Sequence, residues 1–546
     1  MKKIILFFCF CLSAFAASRP SPSEGLQGIF VVSPDEGYRR PSAYYFRGVE
    51  IEGLNLTVKE ENKLRKKLEK HYLGQPISES LVLSVKNTIR NFYRSMGRPV
   101  LLVQTPSQEL TQGVLTVEVV ESSTGDVRVK GNRWVSSQTI AKAISVKPGQ
   151  PIQTDRLVAD LAWLNRNPFR EVGAVFQPGS ELDTTDIELI VKDRFPLRVY
   201  AGLDNSGFTD TDPQRFFAGF NWGDAFEIDH ILSYQYTASL DFKKLQAHTI
   251  NYTAPLSWHH IFNVFGGYSR VDVRLNPTAR TKGHSSQLSG RYIIPLGPHR
   301  NFLHELKFGL DFKRTNNNLT FGGTRVSGSH AQIFQFMGGY DLTWSPQWYR
   351  LYLNLELFWS PGHMIGDQKN VDYQALRPFA TSEYVYGRAA LQQTFTLPMD
   401  FGIDVLLRGQ GANRNLLPSE QFGLGGYYSV RGYREREVNV DNAFLATIEI
   451  SSPKVHVMKY IDTCNHAFRN VNDELWFLIF FDYAFGTQHH RIPNEKRVYH
   501  LSSIGPAVRY NIGPWLTFRT DWGIQLHRTG RSNRWTNINF MLIVAY

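Results

Sequence analysis

The sequence predicts an all-β antiparallel membrane barrel preceded by two small α+β repeats. Three observations carry that prediction: an export leader, a tetrapeptide that recurs in matching context, and a hydrophobic period that changes to two near Arg194.

Charge and length define the leader. Lys2 and Lys3 precede an apolar stretch from Ile4 to Leu12, and Ala14-Phe15-Ala16 supplies a small-x-small cleavage pattern. A spanning helix needs roughly 20 apolar residues, about twice this run. Residues 1–16 are therefore expected to be removed as a signal peptide. Of the three cysteines, Cys9 and Cys11 leave with it, so Cys464 has no partner for an internal disulfide. Cys464 beside His466 falls short of a metal site, and His259-His260 and His489-His490 lack a carboxylate or cysteine at ligand spacing. No metal and no cofactor are expected.

The formal net charge of +11 stays positive once Lys2 and Lys3 are gone, which suits anionic head groups or acidic partners. Nucleic acid is not an expected partner, because the basic residues form no stripe tied to a reading motif. Past the leader the strongest apolar run, Leu475 to Phe481, stops at Asp482. It is too short to span as a helix. A membrane protein of this sequence must then be a closed barrel, in which every backbone group pairs internally.

Residues 17–43, with Pro20, Pro22, Gly25, Gly28, Pro34 and Pro41, have the composition of a linker. The repeats follow. Gly74-Gln75-Pro76-Ile77 recurs as Gly149-Gln150-Pro151-Ile152, about 75 residues on. Gly53 after Val49-Glu50-Ile51 matches Gly131 after Val127-Arg128-Val129. Each unit reads strand, helix, helix, strand, strand. In the first, 44–121, Thr57 and Glu60 have capping-box spacing. Leu81, Val85, Ile89, Phe92 and Met96 then recur at helical steps. In the second, 122–193, Leu157, Leu161 and Leu164 mark a helix, and Ile187, Leu189 and Val191 a closing strand.

From 194 to 546 the pattern is that of strands. Leu306, Phe308, Leu310 and Phe312 alternate with Glu305, Lys307, Asp311 and Lys313, and Leu516 to Leu526 repeats the pattern. One face suits lipid and the other a polar lumen. A soluble sandwich also alternates. It does not account for so many long segments with aromatics on the apolar face, or for the C-terminal set Ile538, Phe540, Leu542, Val544 and Tyr546. Strands of about ten residues with alternating short and long connections give about 16 of them. In Leu475 to Phe485 the odd positions are apolar, which puts Phe480, Asp482 and Ala484 on the lumenal side. A carboxylate there needs a partner, and Arg431, beside Gly432 for a bend and Tyr433 for packing, is a natural donor.

The stretch LLPSEQFGLGGYYSVRGYREREV carries a resemblance. Gly425-Gly426 followed by Val430-Arg431-Gly432-Tyr433, Phe480-x-Asp482-x-Ala484, and Asn167-Pro168-Phe169-Arg170 with Pro178-Gly179 resemble the two-partner secretion transporters (TpsB; FhaC/ShlB/HecB) of the barrel-assembly superfamily. The resemblance implies two periplasmic POTRA domains and a barrel in the outer membrane, with its long loop, 414–441, folded into the lumen. It also implies passage of a large TpsA-like exoprotein, unfolded in transit, to the cell surface without nucleotide hydrolysis and without enzymatic chemistry. Outer-membrane lipid, the barrel-assembly machinery and periplasmic chaperones are the other implied partners, and the transporter is expected to be a monomer. Two departures stand out. Ala484 occupies a position that is usually Gly, and residues 17–42 hold too much Pro and Gly for the plug helix of some relatives. The alternative is an insertase for other barrels, which generally carries more than two repeats.

Two expectations about sites follow. Val430, Arg431, Gly432 and Tyr433 should meet Phe480 and Asp482 in the lumen, as a pair that exchange of the two charges would partly restore. Leu157, Leu161 and Leu164 should flank a groove for an extended segment of the exoprotein, beside a sheet edge open to strand addition.

Overall fold

The computed structural model describes residues 25–34, 46–110, 113–181, 183–208, 211–276, 279–297, 302–316, 330–461, 471–491, 495–529 and 534–546. The leader, Cys464 and His466 lie outside them. One compact unit runs to Arg128 and takes in Ser145–Leu157 and Ala174–Leu189; the other comprises Val129–Ile144, Val158–Gly173 and Ile190–Tyr546.

The first repeat consists of β1 (Gly28–Val32), β2 (Gly48–Glu52), α1 (Val58–Tyr72), α2 (Glu79–Ser95), β3 (Leu101–Gln104) and β4 (Val114–Glu121), with sheet order β2-β1-β4-β3. Thr57 and Glu60 close a reciprocal capping box at the start of α1. That box holds the Glu60 carboxyl below its usual value, through hydrogen bonds from the Thr57 backbone and hydroxyl. Leu64, Leu68, Leu81, Val85 and Ile89 point into the core, as their spacing requires. One expectation is corrected. Residues 28–32 are not linker but a central strand, parallel to both β2 and β4 and buried along its whole length. Gly-Ile-Phe-Val-Val is a continuous apolar run, the mark of a strand covered on both faces. The Pro and Gly around it hid a segment too short for alternation to register.

The second repeat is β5 (Ser123–Lys130), α3 (Ser137–Lys142), α4 (Thr154–Leu164), β6 (Arg170–Pro178) and β7 (Thr184–Asp193), with sheet order β5-β7-β6. At its end the Asp193 carboxylate accepts the backbone N–H groups of Arg133, Trp134 and Val135 at 2.7–3.0 Å. Burial opposes ionisation of that carboxyl, but the three donors outweigh it and keep it below its usual value.

The barrel closes with sixteen antiparallel strands. Its strands are β8 (Leu197–Asp204), β9 (Arg215–Ala225), β10 (His230–Ser239), β11 (Leu245–Pro255), β12 (Ile261–Asn276), β13 (Ala279–Pro295), β14 (Phe302–Asn316), β15 (His330–Trp344), β16 (Tyr349–Pro361), β17 (Glu383–Thr396), β18 (Gly402–Ala412), β21 (Asn442–Ser451), β22 (Asp473–Thr487), β23 (Val498–Ile512), β24 (Leu516–Gln525) and β25 (Thr536–Ala545). β25 pairs with β8 to complete the ring. Between β18 and β21 the chain forms its own hairpin, β19 (Phe422–Leu424) with β20 (Val438–Val440). The faces segregate as the alternation predicts: Phe308, Leu310, Phe477 and Ile479 are exposed outward, whereas Asp311, Phe480, Asp482 and Asp521 are buried inside. Pro255 and Pro295 end their strands, where no ladder donor is required.

Candidate functional site: a loop held inside the barrel

The segment between β18 and β21 enters the lumen, and its tip carries Val430-Arg431-Gly432-Tyr433. Arg431 is 5% exposed. Its Nε and Nη2 donate to the two carboxylate oxygens of Asp482 at 2.9 and 2.8 Å, and its backbone N–H donates to Asp482 Oδ2 at 2.9 Å. Asp482 thus holds the side chain and the turn together. The remaining nitrogen, Nη1, reaches Glu449 at 2.5 Å and Asp521 at 3.0 Å. Phe480 lies under the guanidinium, 3.5 Å from ring centroid to Cζ. All five donors of a planar fork are useful only where acceptors surround it, and this wall supplies them from β21, β22 and β24.

Backbone contact sets the position of the tip. Gly432 has φ +92°, and a Cβ there would sit 2.9 Å from the backbone carbon of Gly523 on β24. Two glycines allow loop and wall to touch main chain to main chain. Gln525 Nε2 donates to the Gly432 carbonyl at 2.7 Å. Tyr433 is fully buried and its hydroxyl donates to the carbonyls of Ser502, at 3.0 Å, and His527. Val430 and Tyr433 join Leu424, Val438, Val440, Leu445, Ala484 and Leu501 in a small apolar core within the lumen. Ala484, the departure from glycine, is one of its packing surfaces.

The sequence pattern anticipated the residues of the Arg431–Asp482 contact but not its surroundings. Glu449 and Asp521 add two carboxylates, and Asp521 also accepts from Arg509 Nη2 at 2.6 Å. Parity puts both carboxylates on the lumenal face. Only the strand order and stagger bring them to one arginine. These neighbours weigh against the expectation that exchanging the two charges would partly restore the contact, because an aspartate at 431 would face Glu449 and Asp521.

Two further braces went unread. Glu420, fully buried near the start of the loop, accepts from Lys313 Nζ on β14 at 2.9 and 3.0 Å, from the Tyr386 hydroxyl on β17 at 2.7 Å and from Gln335 on β15 at 3.3 Å. At the end of the loop Asp441 takes a bidentate fork from Arg377 at 2.6 and 2.9 Å, and Arg377 also donates to Gln488 at 2.8 Å. Arg377 follows α5 (Asn370–Leu376), whose Tyr373 and Leu376 pack against Leu416 and Leu417. The in-folded loop is thus held by the neighbouring connections as well as by the walls.

The second repeat meets the barrel turns through the Asn167-Pro168-Phe169-Arg170 segment. Arg170 forks onto Asp229 at 2.7 and 2.8 Å, and Asn167 donates to the Gly223 carbonyl at 2.6 Å. Its α4 leucines are corrected as a docking groove. Leu157 and Leu164 are 3% and 1% exposed and Leu161 is half-buried, because a three- and four-residue apolar step turns those side chains toward the core. Val158, at 48%, is what the helix displays.

The chain is similar to known proteins in sequence and in fold. Residues 183–466 match the model of the haemolysin secretion/activation protein family ShlB/FhaC/HecB, and residues 44–122 match POTRA, the surface antigen variable number repeat. The heme/hemopexin transporter protein HuxB of Haemophilus influenzae is 22% identical over 459 residues, covering 81% of this chain and 77% of the relative. The outer membrane transporter CdiB of Dickeya dadantii is 23% identical over 388 residues, covering 67% of this chain and 65% of that protein. In structure, CdiB from Escherichia coli shares the fold with a TM-score of 0.76 at 15% identity, covering 98% of this chain and 93% of the other.

Proposed function

The chain belongs to the haemolysin secretion/activation family ShlB/FhaC/HecB, and from that premise we propose how it exports its partner. It is an outer-membrane pore that translocates a secreted exoprotein, with POTRA repeats on the periplasmic side. The loop carrying Arg431 is the resting closure of that pore, and the exoprotein passes as an extended chain once the loop yields. The observation that carries this reading is the Arg431 fork itself, a charged anchor 5% exposed inside the barrel and bound to its wall. The periplasmic repeats capture the partner before transit through backbone hydrogen bonding to an open sheet edge. No bond of the partner is made or broken, no nucleotide is hydrolysed and the pore works as a monomer. Periplasmic chaperones and the barrel-assembly machinery insert it.

The test is deletion of this gene, with the proteins that then disappear from the medium followed as candidates for the exported partner. Deletion should leave that partner in the periplasm while the levels of other outer-membrane barrels stay unchanged. Export that persists while other barrels fail to assemble would reverse the reading in favour of an insertase.

A further inference from the structure

The end of the barrel at which β8 starts carries exposed aromatic and apolar side chains on most of its turns. Phe226 stands between β9 and β10, Trp258 between β11 and β12, Trp348 between β15 and β16, Phe401 between β17 and β18, and Trp515 between β23 and β24. Aromatics at this level form the belt that meets lipid head groups, where a ring can be half apolar and half wet.

One exposed tryptophan at this end does not belong to the barrel. Trp134, in the connection between β5 and α3, is 44% exposed and packs edge-on against Phe195, with ring centroids 5.0 Å apart. Phe195 is itself 51% exposed. It stands just before the bend at Pro196, next to Leu197, which with Val199 and Leu203 forms the outward apolar face of β8. The backbone remains on the barrel ladder almost to that point, since Gly223 N–H donates to the Pro196 carbonyl at 2.6 Å. Trp222, opposite Leu197 on β9, packs against Phe226 at 5.2 Å on the same side. The Trp134–Phe195 pair therefore adjoins the end of the lipid-facing stripe. Two features adapt it to a charged interface. The exposed Arg133 guanidinium lies over the Trp134 ring, 5.0 Å from its centroid, while Arg194, exposed next to Phe195 in the chain, lies over the Phe169 ring and donates to the Pro168 carbonyl. The loop is also rigid at its root, because Asp193 accepts three consecutive backbone N–H groups of residues 133–135.

We propose that Trp134 is a membrane anchor of the second periplasmic repeat, seated with Phe195 in the phospholipid head-group layer of the periplasmic leaflet, with Arg133 against the phosphates. In water the pair gains only its own ring contact and leaves much of both rings wet; beside a lipid belt and with Arg133 at hand, it gains further burial and charge neutralisation. The anchor sets the repeat at a fixed height against the membrane, which is where a captured chain must be handed to the barrel.

The experiment uses the full-length protein in lipid nanodiscs, labelled with fluorotryptophan. Trp134→Phe and Trp348→Phe identify the two resonances, and a phospholipid spin-labelled on its head group is then introduced. The proposal expects the Trp134 resonance to broaden as strongly as that of Trp348, and both to be shielded from a water-soluble paramagnetic chelate. A Trp134 signal left sharp by the lipid label and broadened by the chelate would overturn it. So would shielding that develops only when an exported protein is added, since the pair would then be a protein-docking surface. The double variant Trp134→Ser with Phe195→Ser adds a second readout. Protease cleavage within residues 131–136 should rise several-fold in nanodiscs and not in detergent. An equal rise in both would mean that the pair only stabilises the repeat.

Discussion

Two arginine forks in this protein use the same chemistry in different surroundings. Arg431 grips Asp482 in the lumen, where the aspartate side chain is fully buried and two more carboxylates complete the shell. Arg170 grips Asp229 at the barrel turns with comparable distances, but there the aspartate side chain keeps 19% exposure and a single carboxylate. Geometry alone would rank them equal. Solvent separates them, because water can replace a lost partner at the rim and cannot do so in the lumen. The first fork is suited to hold a loop in one of two states, and the second to seat a repeat on a turn.

The largest effect is expected from Arg431→Ala, which leaves Asp482, Glu449 and Asp521 without the guanidinium that bonds all three, Arg509 still donating to Asp521. Loss of one partner from a buried pair costs about 3–5 kcal/mol. Exported protein per surface-located barrel should fall sharply, with heat-modifiable mobility on gels unchanged. Asp482→Ala should do less, because Arg431 keeps Glu449 and Asp521. The reverse order would remove the three-carboxylate shell from the argument. Combining Arg431→Asp with Asp482→Arg should restore little export, and a double-mutant cycle would measure the coupling.

Glu420→Ala comes next. It strips Lys313 and Tyr386 of a common acceptor, at a cost of about 1–3 kcal/mol. Planar-bilayer recordings should show more frequent opening while the Arg431 fork stays intact. Unchanged conductance would mean that one anchor alone holds the loop.

Arg170→Ala should weaken the seat of the second repeat by about 1–2 kcal/mol, since Asp229 rehydrates. Faster hydrogen exchange at residues 165–172 with unaltered exchange in the barrel is the expected pattern. Loss of barrel assembly would show that the rim fork is needed for folding as well.

The smallest effect concerns pH at Asp193. Its carboxyl is depressed in the folded protein, so its contribution is present above the unfolded value of about 3.9 and is lost as pH falls through the lower folded value. Protection of the Trp134 and Val135 amides should therefore persist through mildly acidic pH and disappear below that window. Asp193→Asn should remove this pH dependence.

Much of the site was legible because barrels encode their faces locally. Period-two alternation placed Asp482 and Phe480 inside, and the glycine-bearing Val430–Tyr433 stretch named the other half of the contact. Glu449, Asp521 and Arg509 sit on lumenal positions that the same rule identifies, yet nothing in one strand says which three will converge. Glu420 and Arg377 were harder still. They lie in connections, where no period constrains the direction of a side chain. The α4 leucines differ for the opposite reason: a strong helical period marks the face that packs into the core, so Leu157 and Leu164 are buried and do not line a groove themselves. β1 was missed because a five-residue run is too short for any period to declare itself.

The sequence by itself determined the repeat, the outward and inward faces of the strands and the identity of the arginine and aspartate that meet. These are local properties, carried by residue type and by spacing along one segment. The tertiary structure decided the closure of sixteen strands, the stagger that gathers three carboxylates around Arg431, and the glycine-to-glycine contact that seats the loop. Those depend on register between segments far apart in the chain, where one residue of slip turns a lumenal side chain to lipid.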